Sequence, residues 1–150
     1  MKVINYFDSD KKEYWLKEFQ KNDWVSGELL NSFITQGIFF KKLGEGSKLL
    51  FLIDNDKLIS FCTYARRDDL ENTDLTPWMG FVYTFPQYRG HHYVSKLLEE
   101  VNRLAKEEGY KEVYISTNNI GLYEKYGCTY KETVVDPDGY SARVYVYRVR

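Results

Sequence analysis

The sequence predicts a mixed α/β fold: a mostly antiparallel, seven-stranded sheet with about four helices, in the order β-α-α-β-β-β-α-β-α-β-β. Three observations carry this. Apolar runs of strand length recur along the chain, and two pairs of them are joined by short Asp/Asn/Gly turns that signal hairpins. Between other runs lie segments whose apolar residues recur at offsets of three, four and seven, the period of about 3.6 residues of an amphipathic helix. Hairpins require antiparallel neighbours and a helix between two strands requires a crossover, so the sheet is mixed.

Val3 to Tyr6 is the first strand. Asp8-Ser9-Asp10 supplies capping side chains, and Asp10 with Glu13 has the spacing of a capping box. The helix that follows carries Tyr14, Trp15 and Phe19 on one side and ends near Lys21. Ser26 is a second N-cap, before a short helix with Leu29, Leu30, Phe33 and Ile34 that Gly37 stops. Ile38 to Ser47 reads as a loop. Leu49 to Ile53 and Leu58 to Tyr64 flank Asp54-Asn55-Asp56-Lys57 and form a hairpin; the polar tract Arg66 to Thr76 is a loop over one end of the sheet.

The stretch Trp78 to Glu108 organises the rest. Phe81 to Phe85 reads as a buried strand, Pro86 ends it, and Gln87-Tyr88-Arg89-Gly90 makes a turn. The next helix places Val94, Leu97, Leu98, Val101, Leu104 and Ala105 on one face, and Gly109 closes it. Strand, glycine-bearing turn and helix start form an arrangement suited to phosphate, because first-turn amides lack intrahelical partners and the macrodipole favours anions. Lys111 to Ser116 is a further strand, with Val113 and Ile115 on one face. Asn118 and Asn119 turn into a short helix, Gly121 to Tyr126, ended by Gly127. Thr129 to Val135 and Tyr140 to Val149 then flank Asp136-Pro137-Asp138-Gly139 as a second hairpin.

A chain of 150 residues, 43% hydrophobic and 29% charged, is the size and composition of one globular domain spanning 1–150. A net charge of −1 without a run of five like charges speaks against a dedicated nucleic-acid binder. No apolar run reaches bilayer length and the first residues lack a signal-peptide core, so a cytoplasmic protein that neither spans nor binds a membrane is expected. Two cysteines, Cys62 and Cys128, make neither a four-ligand zinc site nor a disulfide framework. Fourteen Tyr, nine Phe and three Trp fit an aromatic core and aromatic sheet faces, with a ligand groove as the alternative use.

Two segments carry a resemblance. Pro86-Gln87-Tyr88-Arg89-Gly90, with the helix Ser95-Lys96-Leu97-Leu98-Glu99-Glu100 after it, resembles the acyl-CoA pyrophosphate motif of the GNAT superfamily of N-acetyltransferases, Arg/Gln-x-x-Gly-x-Gly/Ala preceded by Pro-x-Tyr. Asn119-Ile120-Gly121-Leu122-Tyr123-Glu124-Lys125-Tyr126-Gly127-Cys128 resembles that family's Leu-Tyr-Glu-Lys-x-Gly-Phe segment. With the element order, the resemblance covers nearly the whole chain. Laid on the first motif, Arg89 takes the first position, His92 falls where glycine is usual, and Val94 takes the last Gly/Ala position. Glycine there permits close approach to phosphate. A His92 in a helical first turn still offers its amide, whereas the branched Val94 side chain would crowd a pyrophosphate on the helix end, giving weaker affinity or a displaced phosphate.

The resemblance implies acetyl-CoA as co-substrate and a primary amine, a small molecule before a protein, as acceptor. It assigns the pantetheine arm and acetyl carbonyl to backbone groups of Val82, Tyr83 and Thr84; Gly80 nearby is consistent with a bulge, or else only marks close packing. The phosphates fall to Arg89, Gly90, His91, His92, Tyr93, Val94 and Ser95, and the CoA chain to Asn119, whose other reading is a helix N-cap. His91 and His92 are adjacent on a helix start and point apart, so no metal is expected; surface residues, imidazole contacts to phosphate or, last, a catalytic base are their readings. Tyr123 is the general acid for the departing thiolate, or else a helix residue packed on the sheet. Donation from a tyrosine near pKa ~10 to a thiol near ~8.5 is uphill by about 2 kcal/mol, a gap that a nearby helix N-terminus would narrow. The fourth strand contains no acid, so the general base falls to Asp68, Asp69, Glu71 or Asp74 of the preceding loop, directly or through water; Arg66, Arg67 and Trp78 are candidates for shaping the acceptor pocket. The competing reading is a non-catalytic acyl-CoA-binding or regulatory module. The oligomeric state, homodimer included, stays open.

Overall fold

In a computed structural model, which describes residues 1–68, 73–135 and 139–150, the hairpins and crossovers assemble one sheet. Among the described residues the chain runs β1 (Lys2–Asn5), α1 (Lys12–Phe19), α2 (Val25–Thr35), α3 (Phe39–Leu43), β2 (Lys48–Asp54), β3 (Lys57–Ala65), β4 (Trp78–Thr84), α4 (Val94–Glu107), β5 (Glu112–Thr117), β6 (Thr129–Val135) and β7 (Ser141–Arg148). One-turn 3-10 helices lie at Tyr6–Asp8, Pro86–Tyr88 and Tyr123–Tyr126. The strand order is β1-β2-β3-β4-β5-β7-β6, and each neighbouring pair is antiparallel except β4 with β5. The mixed, mostly antiparallel seven-stranded sheet with four helices is therefore borne out. Asn55 and Asp56 turn β2 into β3, with Asn55 at a φ of 55° that a short polar side chain tolerates. The turn residues 136–138 of the second hairpin lie outside the described residues; its strands pair as expected.

Helices cover both faces of the sheet, which is why the central strands read as continuous apolar runs. Leu50 and Leu52 of β2 join Leu97, Leu98, Val101, Leu104 and Ala105 of α4 in one core. Leu49, Phe51 and Ile53 point the other way, into an aromatic core with Trp15, Phe19, Leu30 and Phe39. The strand period of two thus assigns alternate residues to two separate layers. The rings form the second layer: Phe61 is fully buried, with Phe19 at 4.8 Å and Tyr83 at 5.3 Å between centroids. The aromatic abundance is mainly core.

Local expectations failed in four places. Ile38 to Ser47 is not all loop, because Phe39 and Leu43, four apart, are both 2% exposed and dock a helical turn, α3, under the sheet. The Asp10–Glu13 capping box is not made: α1 starts after Lys11 without a side-chain cap, and Ser9 Oγ accepts from the Lys11 N–H at 3.0 Å. Ser26 lies inside the first turn of α2, whose N-cap is Trp24. The helix placed at Gly121 to Tyr126 shrinks to a single 3-10 turn, Tyr123–Tyr126.

Phe61→Ala empties the centre of the aromatic layer and should cost about 3–5 kcal/mol of unfolding free energy, read by urea denaturation.

Candidate functional site

The site begins where the sheet stops pairing. β4 and β5 share one register pair, Trp78 with Tyr114, supported by the Tyr114 N–H donating to the Pro77 carbonyl at 3.0 Å. Each strand is held elsewhere, β4 by β3 and β5 by six register pairs with β7. Beyond Trp78 they part and leave a cleft of about 300 Å³. Phe81 and Val82 line it from β4, Ser116 and Thr117 from β5, with Asn118, Asn119 and Tyr123 from the segment after β5. Trp24 and Ser26 reach it from the start of α2, and Asp68 from the loop after β3.

The β4 irregularity is a bulge against β3: Phe61 pairs with Tyr83 and Thr63 with Gly80, so the register slips by a residue in between. Gly80 borders this bulge, as the sequence suggested, but it is not the residue with positive φ. Phe81 is, with φ 49°, a region that costs a bulky side chain strain. Gly80 serves another purpose: a Cβ there would collide with Asp68 Oδ1. Its missing side chain lets the Asp68 carboxylate lie against the strand.

The strand residues divide by the pleat. Val82 lines the cleft, whereas the Tyr83 ring lies on the aromatic side, stacked on Trp24 at 5.5 Å and donating its hydroxyl to Asp23 Oδ1 at 3.2 Å. The Tyr83 carbonyl accepts from Ser60 Oγ at 2.6 Å, and Thr84 Oγ1 meets the same hydroxyl at 3.0 Å. Arg89 folds back, donating from Nε to the Thr84 carbonyl at 2.9 Å with its guanidinium 5.3 Å from the Tyr83 ring centroid.

The turn into α4 departs from expectation at His92. It does not sit in a helical first turn; its φ is 58°, in the left-handed region where the motif's glycine would rest without strain. Gly90 also has positive φ, 88°, and open space around it. His91 is exposed and lies 5.4 Å from the Tyr93 ring; His92 is exposed with Nδ1 3.4 Å from the Tyr126 hydroxyl. Val94 is half-buried and packs, like Tyr93, against the α4 core. Ser95 donates both N–H and Oγ–H to the His92 carbonyl, at 3.0 and 2.7 Å, so α4 closes its first turn on the strained residue. Among the described residues no group of three His, Cys, Asp or Glu is placed to hold a metal.

Tyr123 is 3% exposed and lines the cleft. Burial, followed by Cys62, Cys128 and the Asp68 carboxylate, pushes its pKa well above the ordinary tyrosine value. This reverses the expected narrowing of the gap to the thiol: the phenol holds its proton more firmly. Cys62 is likewise pushed up by full burial, and Cys128 to about 11, so both stay thiols. Asn119 is exposed, its N–H bonded to Thr117 Oγ1 at 3.0 Å, and the 3-10 turn after it has no side-chain cap, so the N-cap reading of Asn119 fails.

Of the loop acids, Asp68 reaches the cleft and Asp74 is exposed away from its lining; Asp69 and Glu71 lie outside the described residues. Arg66, Arg67 and Trp78 do not line the cleft. Arg66 bonds the Tyr110 hydroxyl at 2.6 Å and Glu108 at 3.3 Å, and Arg67 donates to the Lys41 and Lys42 carbonyls at 3.0 and 3.2 Å. They tether the loop base to the ends of α4 and α3. Trp78 is 1% exposed and donates from Nε1 to the Leu75 carbonyl. Sequence reasoning missed Trp24, Ser26, Phe81 and the Ser116–Asn118 wall as cleft residues, since no local motif marks them.

The acetyltransferase (GNAT) family model matches residues 5–128. Solved structures agree in fold. The aminoglycoside 6′-N-acetyltransferase from Enterococcus faecium superposes with a TM-score of 0.70 at 9% identity, over 100% of this chain and 98% of that one. An aminoglycoside 6′-N-acetyltransferase complexed with coenzyme A gives 0.67 at 9% identity, over 100% and 98%. An acetyltransferase from Streptococcus agalactiae gives 0.67 at 18%, over 98% and 97%. No curated protein matches the chain.

The left-handed His92 gives a direct stability test. His92→Val, β-branched at the same φ, should lower stability by about 1–2 kcal/mol, whereas His92→Gly should leave Tm unchanged or raise it. Thermal melts of the three proteins check the order.

Proposed function

The chain belongs to the acetyltransferase (GNAT) family, and from that premise we propose that it transfers an acetyl group from acetyl-CoA to a primary amine of a small, cationic, polar acceptor. The observation that carries this reading is the convergence of the Asp68 carboxylate and the buried Tyr123 phenol on the cleft between β4 and β5. No helix among the described residues is long and apolar enough to cross a membrane.

Acetyl-CoA enters with its phosphates toward the Gly90–Val94 turn ahead of α4; the Ser95 and Lys96 amides already donate to the His92 and Tyr93 carbonyls, so the amides before them serve the anion. Val94 is directed to the core, which supports an unobstructed helix end. The pantetheine arm, which carries amides, lies against the strand edges that β4 and β5 leave unpaired beyond Trp78, extending the sheet as a peptide would. The acceptor occupies the Trp24–Asp68–Phe81 side of the cleft, where a carboxylate beside aromatic rings favours an ammonium group. That one relative whose structure contains coenzyme A acts on aminoglycosides supports the class of acceptor: small, polycationic and hydroxyl-rich.

Three tasks then fall to named groups. Asp68 takes a proton from the ammonium, directly or through water, so that a neutral amine attacks the acetyl carbonyl. The β4 and β5 edges hold the thioester in line for that attack. As the C–S bond breaks, the Tyr123 hydroxyl donates a hydrogen bond to the leaving sulfur, which takes up the second proton that the acylated nitrogen sheds and departs as the CoA thiol. The raised pKa of Tyr123 makes full proton transfer costly, so hydrogen bonding to the developing thiolate is its main contribution.

The test follows free CoA thiol release across a panel of amines that includes aminoglycosides. Asp68→Asn should lower kcat/KM by about 10²-fold or more, and Tyr123→Phe should lower kcat by roughly 10- to 100-fold. Because burial raises the Tyr123 pKa, the phenol stays protonated through its ordinary value of ~10, so loss of kcat by its ionisation should begin only above that pH. Binding of acetyl-CoA without thiol release for any amine would instead make the protein a binding module, and absence of acetyl-CoA binding would overturn both readings.

A further inference from the structure

Tyr123 rides on a single 3-10 turn without a side-chain cap, a structure too short to fix a side chain by its own bonds. A chain of hydrogen bonds from β7 holds it instead. Arg143 Nε donates to the Tyr145 hydroxyl oxygen at 2.9 Å, and Tyr145 in turn donates to Glu124 Oε2 at 3.1 Å. The other oxygen, Glu124 Oε1, accepts from the Gly121 N–H at 3.1 Å. The turn is therefore pinned at residues 121 and 124, on both sides of Tyr123. Tyr145 is fully buried and its ring lies 6.2 Å from that of Tyr123, so one side chain both packs on the phenol and ties its turn down.

The order of donors is fixed by chemistry. Arginine has only donors, so it occupies the Tyr145 oxygen's lone pair and the single Tyr145 proton is directed to the carboxylate. Both ends are charged, which shortens and strengthens such bonds. The guanidinium is itself held over the Tyr130 ring, 4.3 Å from its centroid. Partial desolvation acts to raise the Glu124 pKa, but the bonds from its own backbone N–H, from Tyr145 and from the Gly121 N–H, with the Arg143 charge, hold it below its ordinary value.

We propose that Arg143, Tyr145 and Glu124 are positioning residues that hold the Tyr123 hydroxyl on the cleft for the acetyl-transfer step. The proposal rests on the reading of Tyr123 as donor to the leaving sulfur, and the experiment separates the two. Steady-state kinetics are measured for Tyr145→Phe, which keeps the ring and removes the hydroxyl link, and for Glu124→Gln, an exposed site where folding is safe. Each is made alone and in a Tyr123→Phe background. The expected result is a loss of kcat of about tenfold with the KM for acetyl-CoA unchanged within about twofold, and no further loss when Tyr123→Phe is already present. If Tyr123→Phe lowers kcat but neither Tyr145→Phe nor Glu124→Gln does, the positioning role is overturned alone. It is overturned equally if their losses multiply with that of Tyr123→Phe. A Tyr123→Phe protein with unchanged kcat overturns the reading of Tyr123 and the positioning role together.

Discussion

The structure depends on the single pairing between β4 and β5. Two parallel strands that met along their length would satisfy each other's backbone groups and seal the sheet. Here they meet at Trp78 and Tyr114 and then part, because β4 follows its bulge along β3 while β5 follows β7. The parting creates a cleft and leaves interior strand edges with hydrogen-bonding capacity to spare. Phe81 and Val82 form one wall, Ser116 to Asn119 the other, and the loop after β3 brings a carboxylate over the top.

The opening is held by opposite means on its two sides. On the acid side, Arg66 and Arg67 tether the loop base to the ends of α4 and α3, and Gly80 makes room for Asp68 against the strand. On the phenol side, a one-turn helix is tied to β7 by hydrogen bonds. The two functional groups also influence each other. After burial and the two cysteines, the Asp68 charge opposes ionisation of Tyr123, so the phenol keeps its proton. The same buried surroundings keep Cys62 and Cys128 as thiols, which removes them as competing nucleophiles.

At the turn into α4 a histidine takes the position where the resembling motif has glycine. The backbone at position 92 adopts the left-handed conformation that glycine usually supplies, and histidine bears the strain. The helix closes its first turn on that residue through Ser95, so the conformation is over-determined by its neighbours. Val94, whose side chain would have obstructed a phosphate, joins the core.

Most of the fold was legible in the sequence. The offsets of Leu97, Leu98, Val101, Leu104 and Ala105 dictated α4, Asn55-Asp56 dictated the first hairpin, and the apolar runs dictated strands, because each signal lies within a few neighbouring residues. Two motif segments sufficed to name the family. The failures also have local causes: α3 was hidden because five residues carry too little periodicity, and the capping box at Asp10 lost to a Ser9 bond one residue away. What only the tertiary structure decided is which side chains share the cleft. Trp24, Asp68, Phe81, Ser116 and Tyr123 come from five separate segments. Nothing local placed Asp68 against the cleft, or showed that burial would strengthen the hold of Tyr123 on its proton. Strand divergence and desolvation are properties of packed neighbours distant in sequence, and those neighbours exist only once the chain has folded.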